Sequence, residues 1–191
     1  LVVCNLYPFS DIISQENCDL ALALENVDIG GPTMIRSAAK NFRHVIVIVD
    51  PSDYGWVSER LILGHGDPSM ITHEERRSLA RKAFQHVALY DTAISQYLTD
   101  GGTAMSDEVT LGFLRQTGLR YGENPHQEAV LYADPLSTGG IVKSRLLHGI
   151  EMSFNNYMDA DSAWRTVSDF AQPAVTVVKH TNPCGLAVHD D

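Results

Sequence analysis

Asp28-Ile29-Gly30-Gly31-Pro32-Thr33-Met34-Ile35-Arg36-Ser37-Ala38-Ala39-Lys40-Asn41, preceded by Val27, is the stretch on which the reading of this chain turns. Paired glycines let backbone approach a ligand closely, Pro32 suits the first position of a helix, and the free N–H groups of a helix start favour an anion. On that helix Thr33, Arg36 and Lys40 fall on one face, which joins a hydroxyl to two cations, while Asp28 supplies a carboxylate just ahead of the glycines. Taken alone, the same string also describes a capped surface helix with a solvated basic face.

Upstream, Leu1 to Leu6 is expected as a short buried strand that stops at Tyr7-Pro8, because proline lacks a ladder donor and restricts the residue before it. Tyr7 would then sit at the carboxyl end of a strand, the edge where open α/β sheets take ligands. Leu20, Ala21, Leu24 and Val27 form a helical stripe leading into the opening motif. Downstream, Val45 to Val49 is a continuous β-branched run suited to a strand buried on both faces, and Asp50-Pro51 caps and restarts a helix. The order strand, helix, helix, strand, helix predicts a parallel sheet.

Beyond the polar loop Gly64 to Ser69, Thr72 and Glu75 make a capping box that opens the longest helix. Its apolar face runs through Leu79, Ala80, Ala83, Phe84, Val87, Ile94, Tyr97 and Leu98, with Gly101-Gly102 as its stop. His73, His86 and Asp91 lack metal-ligand spacing and read as structural. The small polar segment Thr103 to Ser106 marks a domain boundary, after which Val109, Leu111 and Phe113 alternate as in a strand. Further strands are expected at 127–132 and 141–147, a helix at Asp159 to Phe170 anchored by Ala160, Ala163, Trp164 and Val167, and a second buried strand at Val175 to Val178. Lys179-His180 at the end of that strand are candidates for proton transfer, since burial there would shift their charge states; the alternative is a strand that simply exits into solvent. Thr181-Asn182-Pro183-Cys184-Gly185 follows as a turn-forming string, in which Cys184 reads as a small packed thiol and not as a nucleophile.

Composition narrows the classes. A chain of 191 residues with 44% hydrophobic and 20% charged residues is an ordinary globular sequence able to build a core. A formal charge of −10 opposes non-specific binding to nucleic acid. Cys4, Cys18 and Cys184 are odd in number and widely spaced, which fits neither a disulfide framework nor a structural zinc site and suits a reducing cytosol. No apolar run reaches the roughly 20 residues of a membrane span.

Four strings go further than generic chemistry: Cys4-Asn5-Leu6-Tyr7-Pro8-Phe9; Asp28-Ile29-Gly30-Gly31 with Arg36-Ser37-Ala38-Ala39-Lys40-Asn41; Leu119-Arg120-Tyr121-Gly122-Glu123-Asn124-Pro125-His126-Gln127; and Lys179-His180-Thr181-Asn182-Pro183-Cys184-Gly185. In this order they resemble the bifunctional purine-biosynthesis enzymes, which join an IMP cyclohydrolase domain to an AICAR formyltransferase domain. The likeness runs over essentially the whole chain but covers only part of such an enzyme, so the expectation is an internal piece spanning the junction: 1–106 as the end of the cyclohydrolase domain, 107–118 as linker, 119–191 as the start of the formyltransferase domain.

The resemblance implies two reactions, formyl transfer from 10-formyltetrahydrofolate to AICAR and closure of formyl-AICAR to IMP with loss of water. It implies that Tyr7, Asp28 and Lys40 serve ring closure, with Gly30, Gly31 and Arg36 near the nucleotide, Gly30-Gly31 shaping the turn that presents Asp28. It assigns Arg120, Tyr121 and Asn156 to AICAR binding, and Lys179, His180 and Asn182 to formyl transfer. The implied fold is α/β, a methylglyoxal synthase-like parallel-sheet domain followed by a cytidine-deaminase-like α/β domain without catalytic metal. A cytoplasmic homodimer acting on AICAR, formyl-AICAR, IMP and folate, with no nucleic-acid or membrane partner, completes the expectation. The competing reading is a non-catalytic nucleotide- or phosphate-binding module of the methylglyoxal synthase-like fold.

Overall fold

A computed structural model describes residues 1–99, 107–137 and 139–190, in two compact units, 1–112 and 113–191. The stop expected at Gly101-Gly102 and the boundary at Thr103 to Ser106 lie outside the described residues. The chain is mixed α/β and contains a small parallel sheet.

In the first unit, strand β1 (Val2–Val3) pairs in parallel with β2 (Val47–Ile48), Val2 opposite Val47 and Val3 opposite Ile48. Helices α1 (Phe9–Ile13), α2 (Leu20–Glu25) and α3 (Gly30–Lys40) connect them, and α4 (Tyr54–Leu63) and α5 (His73–Leu98) follow. The β-branched run around β2 is buried from Ile46 to Val49, and its two faces enter separate clusters. Val47 and Val49 meet Ile35, Ala38 and Ala39 of α3 and Ala80, Ala83 and Val87 of α5. Ile46 and Ile48 meet Val57 of α4, Ile71 and Leu79. A period of two along the strand thus supplies two cores, and each fully buried Val or Ile stabilises by about 1.5–3 kcal/mol. Alanines on the facing sides of α3 and α5 let those helices pack closely.

Helix α5 starts at the expected capping box: Glu75 N–H donates to Thr72 Oγ1 at 3.2 Å, and Thr72 N–H donates to Glu75 Oε2 at 2.8 Å. Asp50 caps through Oδ1, which accepts from Ser52 N–H at 2.8 Å, and Pro51–Asp53 forms a single 3-10 turn ahead of α4. The stripe expected on α2 is not a core face, because Leu20, Leu22 and Leu24 are exposed and only Ala23 is buried. Pro32 stands third in α3, not first, since the helix begins at Gly30.

In the second unit, β3 (Leu114–Gly118) pairs antiparallel with β4 (Val130–Ala133), α6 (Phe154–Ser168) follows, and β5 (Ala174–Lys179) pairs antiparallel with β6 (Asn182–Val188). Several expectations change here. The strand sits at 114–118, inside the segment read as linker, while Val109, Leu111 and Phe113 are exposed outside it. Residues 141–143 form a 3-10 turn, not a strand. Helix α6 begins five residues earlier than the periodicity indicates, at a second capping box, Ser153 with Asn156. Trp164 is exposed instead of anchoring it.

The largest change is at β5. It is one arm of a two-stranded hairpin whose residues alternate between half-buried and exposed, with β6 exposed throughout, instead of a strand buried on both faces. Its turn is His180-Thr181, both with positive φ (51° and 64°), the geometry of a two-residue hairpin loop. Cys184 therefore lies in β6, at an irregularity where Val177 pairs with Gly185 and Val178 with Pro183. It is the extra residue of a bulge, exposed, and not part of a tight turn.

Candidate functional sites in the two units

At the carboxyl end of the parallel pair, Asn5 ties the strands together. Its Nδ2 donates to Val49 O at 3.2 Å, and Tyr54 hydroxyl donates to its Oδ1 at 2.5 Å. Immediately beyond stands Tyr7, 55% exposed and therefore open to a ligand at this edge. Asp28 approaches the same edge from the turn before α3. Its Oδ1 accepts from Gly31 N–H at 2.7 Å, and a Cβ added at Gly31 would lie 2.5 Å from Asp28 Oδ2 and 2.6 Å from Leu6 Cδ2. A side chain at position 31 would therefore displace the Asp28 carboxyl or the Leu6 side chain, and glycine leaves the two packed side by side.

The helix start is poorly furnished for phosphate. Asp28 occupies the Gly31 N–H and Pro32 has none, so two of the first-turn amides are withdrawn from an external anion. Gly30 is exposed with open space around it. Asp28 also stands close enough to Cys4 for its charge, after burial as the larger cause, to raise the thiol pKa, which disfavours the thiolate.

The cations of α3 are spread along the helix. Arg36 places its guanidinium 5.7 Å from the Phe84 ring centroid, a cation–π contact with α5. Lys40 is exposed in the last turn, ten residues past Gly30 and hence ~15 Å along the axis at 1.5 Å per residue. Thr33 hydroxyl is spent on Ile29 O at 3.0 Å. The structure therefore brings Tyr7, Asp28 and Gly31 to one edge, and sets Lys40 toward the far end of the helix.

One neighbour of Asp28 has no local sequence signal. Tyr90 of α5 accepts Asp28 N–H at 2.8 Å and donates to Asn26 O at 3.2 Å, across 62 and 64 positions. Burial first, then the charges of Asp28, Asp91 and Tyr7, raise the Tyr90 pKa against the opposing hydrogen bond from Asp28 N–H. A short distance along α5, Lys82 bridges Asp50 at 2.5 Å and Asp53 at 2.7 Å. Hydrogen bonding from Lys82, then from Ser52, lowers the Asp50 carboxyl to about 2. His86 is pushed below its ordinary value, chiefly by burial.

In the second unit the Leu119–Gln127 string folds back on itself. Gly122 N–H donates to Gln127 O at 2.7 Å, and Gln127 Oε1 accepts from Asn124 N–H at 2.8 Å. The loop is fastened to the start of α6, where Phe154 N–H donates to Tyr121 O at 3.2 Å and Asn155 Nδ2 to Glu123 O at 3.1 Å. Arg120 lies 5.0 Å from the Tyr121 ring centroid. The Ser153 hydroxyl, and then Arg120, lower the Tyr121 phenol. Asn156, expected before the helix, is in its first turn, with Oδ1 accepting from Ser153 N–H at 3.1 Å and from Ser153 hydroxyl at 2.9 Å.

The same helix grips the hairpin tip. Asp159 Oδ1 accepts from Thr181 N–H at 2.7 Å, and Ser162 hydroxyl donates to Thr181 O at 2.7 Å. Asn182 Nδ2 donates to His180 O at 2.7 Å, closing the turn. Asn156 and Asp159 are three apart on one face of α6, so the Arg120-Tyr121-Asn156 group and the Lys179-His180-Asn182 tip meet at neighbouring turns of one helix. Lys179 and His180 are exposed, not buried as expected of the end of a buried strand, and among the described residues neither side chain hydrogen-bonds to another protein group. Asp159, Ser162 and Ser153 build this arrangement, and of the three the sequence marks only Asp159, as the expected start of the helix.

No group of His, Cys, Asp and Glu suited to a metal occurs among the described residues, and no helix there is long and apolar enough to cross a membrane. Residues 38–191 match the family model described as AICARFT/IMPCHase bienzyme. A "Bifunctional purine biosynthesis protein purH" of Dictyostelium discoideum is 46% identical over 98% of this chain and 39% of its own length. Proteins of the same description from Bacillus mycoides and a Thermoanaerobacter species are 49% and 48% identical over all of this chain and 37% of theirs. The chain spans less than two-fifths of the length of these relatives, and by family match and identity it belongs to the AICARFT/IMPCHase bienzyme family.

Proposed function

We propose that this chain supplies part of two sites of a purine-biosynthesis bienzyme, one for formyl transfer to AICAR and one for closure of formyl-AICAR to IMP. The observation that supports this best is the fastening of the Lys179-His180 tip to α6 beside Asn156 and Arg120-Tyr121. A nucleotide-recognition loop and a proton-transfer hairpin tip, each hydrogen-bonded to α6, suit a reaction in which an amine must be placed and deprotonated.

In formyl transfer the 5-amino nitrogen of AICAR attacks the formyl carbon of 10-formyltetrahydrofolate, and N10 of the folate leaves. That amine is a weak nucleophile because its lone pair is delocalised into the imidazole and carboxamide. His180 takes the proton lost from nitrogen, Lys179 polarises or protonates on the folate side, and Asn182 orients the formyl group. Arg120, Tyr121 and Asn156 hold AICAR. The Arg120 cation beside the Tyr121 ring offers a nucleotide both a positive charge and an aromatic face.

In ring closure the carboxamide nitrogen attacks the formyl carbon, a proton leaves nitrogen, and water is lost. Asp28 and Tyr7, together at the carboxyl edge of the parallel pair, position and relay that proton. Gly30 and Gly31 shape the turn that presents Asp28, while Arg36 and Lys40 are the cations of the same helix that meet negative charge on the substrate, Lys40 at a point ~15 Å along the axis from Gly30 and so away from the proton relay of Asp28 and Tyr7. The folds are methylglyoxal synthase-like and cytidine-deaminase-like, the assembly is a cytoplasmic homodimer, and folate enters as co-substrate.

Asp28→Asn in a full-length bienzyme carrying this sequence tests the ring-closure assignment. Cyclisation should fall by about 100-fold or more, as expected on loss of a general base, with formyl transfer intact. Unchanged cyclisation would remove Asp28 from the chemistry.

A further inference from the structure

We propose that Tyr90 is a positioning residue for Asp28 in ring closure, acting through its hydroxyl and not by contact with substrate. The proposal rests on the reading of Asp28 given above. Asp28 is held twice: its carboxyl accepts Gly31 N–H at 2.7 Å, and its own N–H donates to Tyr90 hydroxyl at 2.8 Å. The same hydroxyl donates to Asn26 O at 3.2 Å, so one group on α5 uses both its acceptor and its donor on the segment 26–28. That segment is otherwise a connection between two helices, and a hydroxyl of fixed position converts it into a rigid mount for the carboxyl.

Tyr90 also supports the other half of the edge. Its ring lies edge-on to Phe9 at 6.1 Å between centroids, and Phe9 is buried at the start of α1. Phe9 N–H donates to Tyr7 O at 2.8 Å. One side chain therefore references both Tyr7 and Asp28 to the long helix, through ring packing on one side and hydrogen bonds on the other. The two contributions are separable, because Tyr90→Phe keeps the ring against Phe9 while removing only the link to Asn26 and Asp28.

The test is a double-mutant cycle in a full-length bienzyme carrying this sequence, with wild type, Tyr90→Phe, Asp28→Asn and the double variant assayed for cyclisation per folded protein. Displacing a positioned group by even 1 Å costs up to about 100-fold, so Tyr90→Phe should lower kcat about tenfold or more with KM within about twofold. It should add almost nothing to Asp28→Asn, since Tyr90 acts through Asp28. Formyl transfer should be unaffected, and Asp28 N–H should exchange faster with deuterium. An unchanged kcat in Tyr90→Phe, or losses that multiply in the double variant, would overturn the role of Tyr90 and leave that of Asp28 standing. If Asp28→Asn cyclises normally, the underlying reading fails and the role of Tyr90 fails with it.

Discussion

Asp159 and Thr181 are 22 positions apart and joined by a 2.7 Å hydrogen bond from the Thr181 N–H to the Asp159 carboxyl, which fixes the tip of the β5–β6 hairpin on α6. The tip needs fixing. His180 and Thr181 both occupy left-handed backbone conformations, which suit glycine or asparagine and are unusual for a β-branched residue such as Thr181. Backbone held in this way at a proposed site keeps Lys179 and His180 in one presentation.

Asp159→Ala should therefore loosen the tip. The exposed hydrogen bond is worth about 0.5–1.5 kcal/mol, and formyl transfer should fall by more than this stability loss explains, because the Lys179-His180 presentation is lost. Asp159→Asn, which keeps an acceptor oxygen, should retain most of the activity. Denaturant unfolding and a formyl-transfer assay on both variants check this.

The two adjacent glycines should behave differently. Gly31→Ala drives a methyl into Asp28 and Leu6 and should destabilise by about 1–3 kcal/mol, the usual cost of overpacking. Gly30→Ala meets open space and should be neutral or slightly stabilising, since it removes backbone freedom from the unfolded chain. Thermal melts of the two variants decide the point.

Acid should weaken the link between β2 and α5. Asp50 is lowered to about 2, first by its hydrogen bond with Lys82, from an ordinary value of 3.8. A depressed carboxyl stabilises above its unfolded value, and that contribution is lost as pH falls from about 4 toward 2. Asp50 and Lys82 side chains are 38% and 39% exposed, so screening leaves about 1 kcal/mol at most. Lys82→Ala should flatten the pH dependence of urea unfolding in that window, and high salt should do part of the same in the unmodified protein.

Removing the Thr72 hydroxyl should cost about 1 kcal/mol, as for other N-cap truncations, because Glu75 N–H then loses its partner. Urea unfolding of Thr72→Ala measures it.

Local chemistry explains what the sequence alone disclosed. The Thr72–Glu75 box, the β-branched run at Val45 to Val49 and the Asp50-Pro51 start each carry their signal within a few residues: the box forms as expected, the run is buried from Ile46 to Val49 with a strand of only two residues, and Asp50 caps a 3-10 turn ahead of α4. The α2 stripe misled because helical spacing of Leu20 and Leu24 says which residues share a face, not whether another element covers it. The hairpin was hidden because His180-Thr181 lacks the Asn-Gly composition that announces a two-residue turn. Tyr90 was hidden because its bonds to the 26–28 segment cross more than sixty residues. The resemblance groups Lys40 with Asp28, whereas helix length separates them.

The most direct test of the two-site account is His180→Ala in a full-length bienzyme carrying this sequence, with formyl transfer and cyclisation assayed on the same preparation. The account predicts that formyl transfer is abolished while cyclisation proceeds at the unmodified rate. Formyl transfer that persists at the unmodified rate would contradict it.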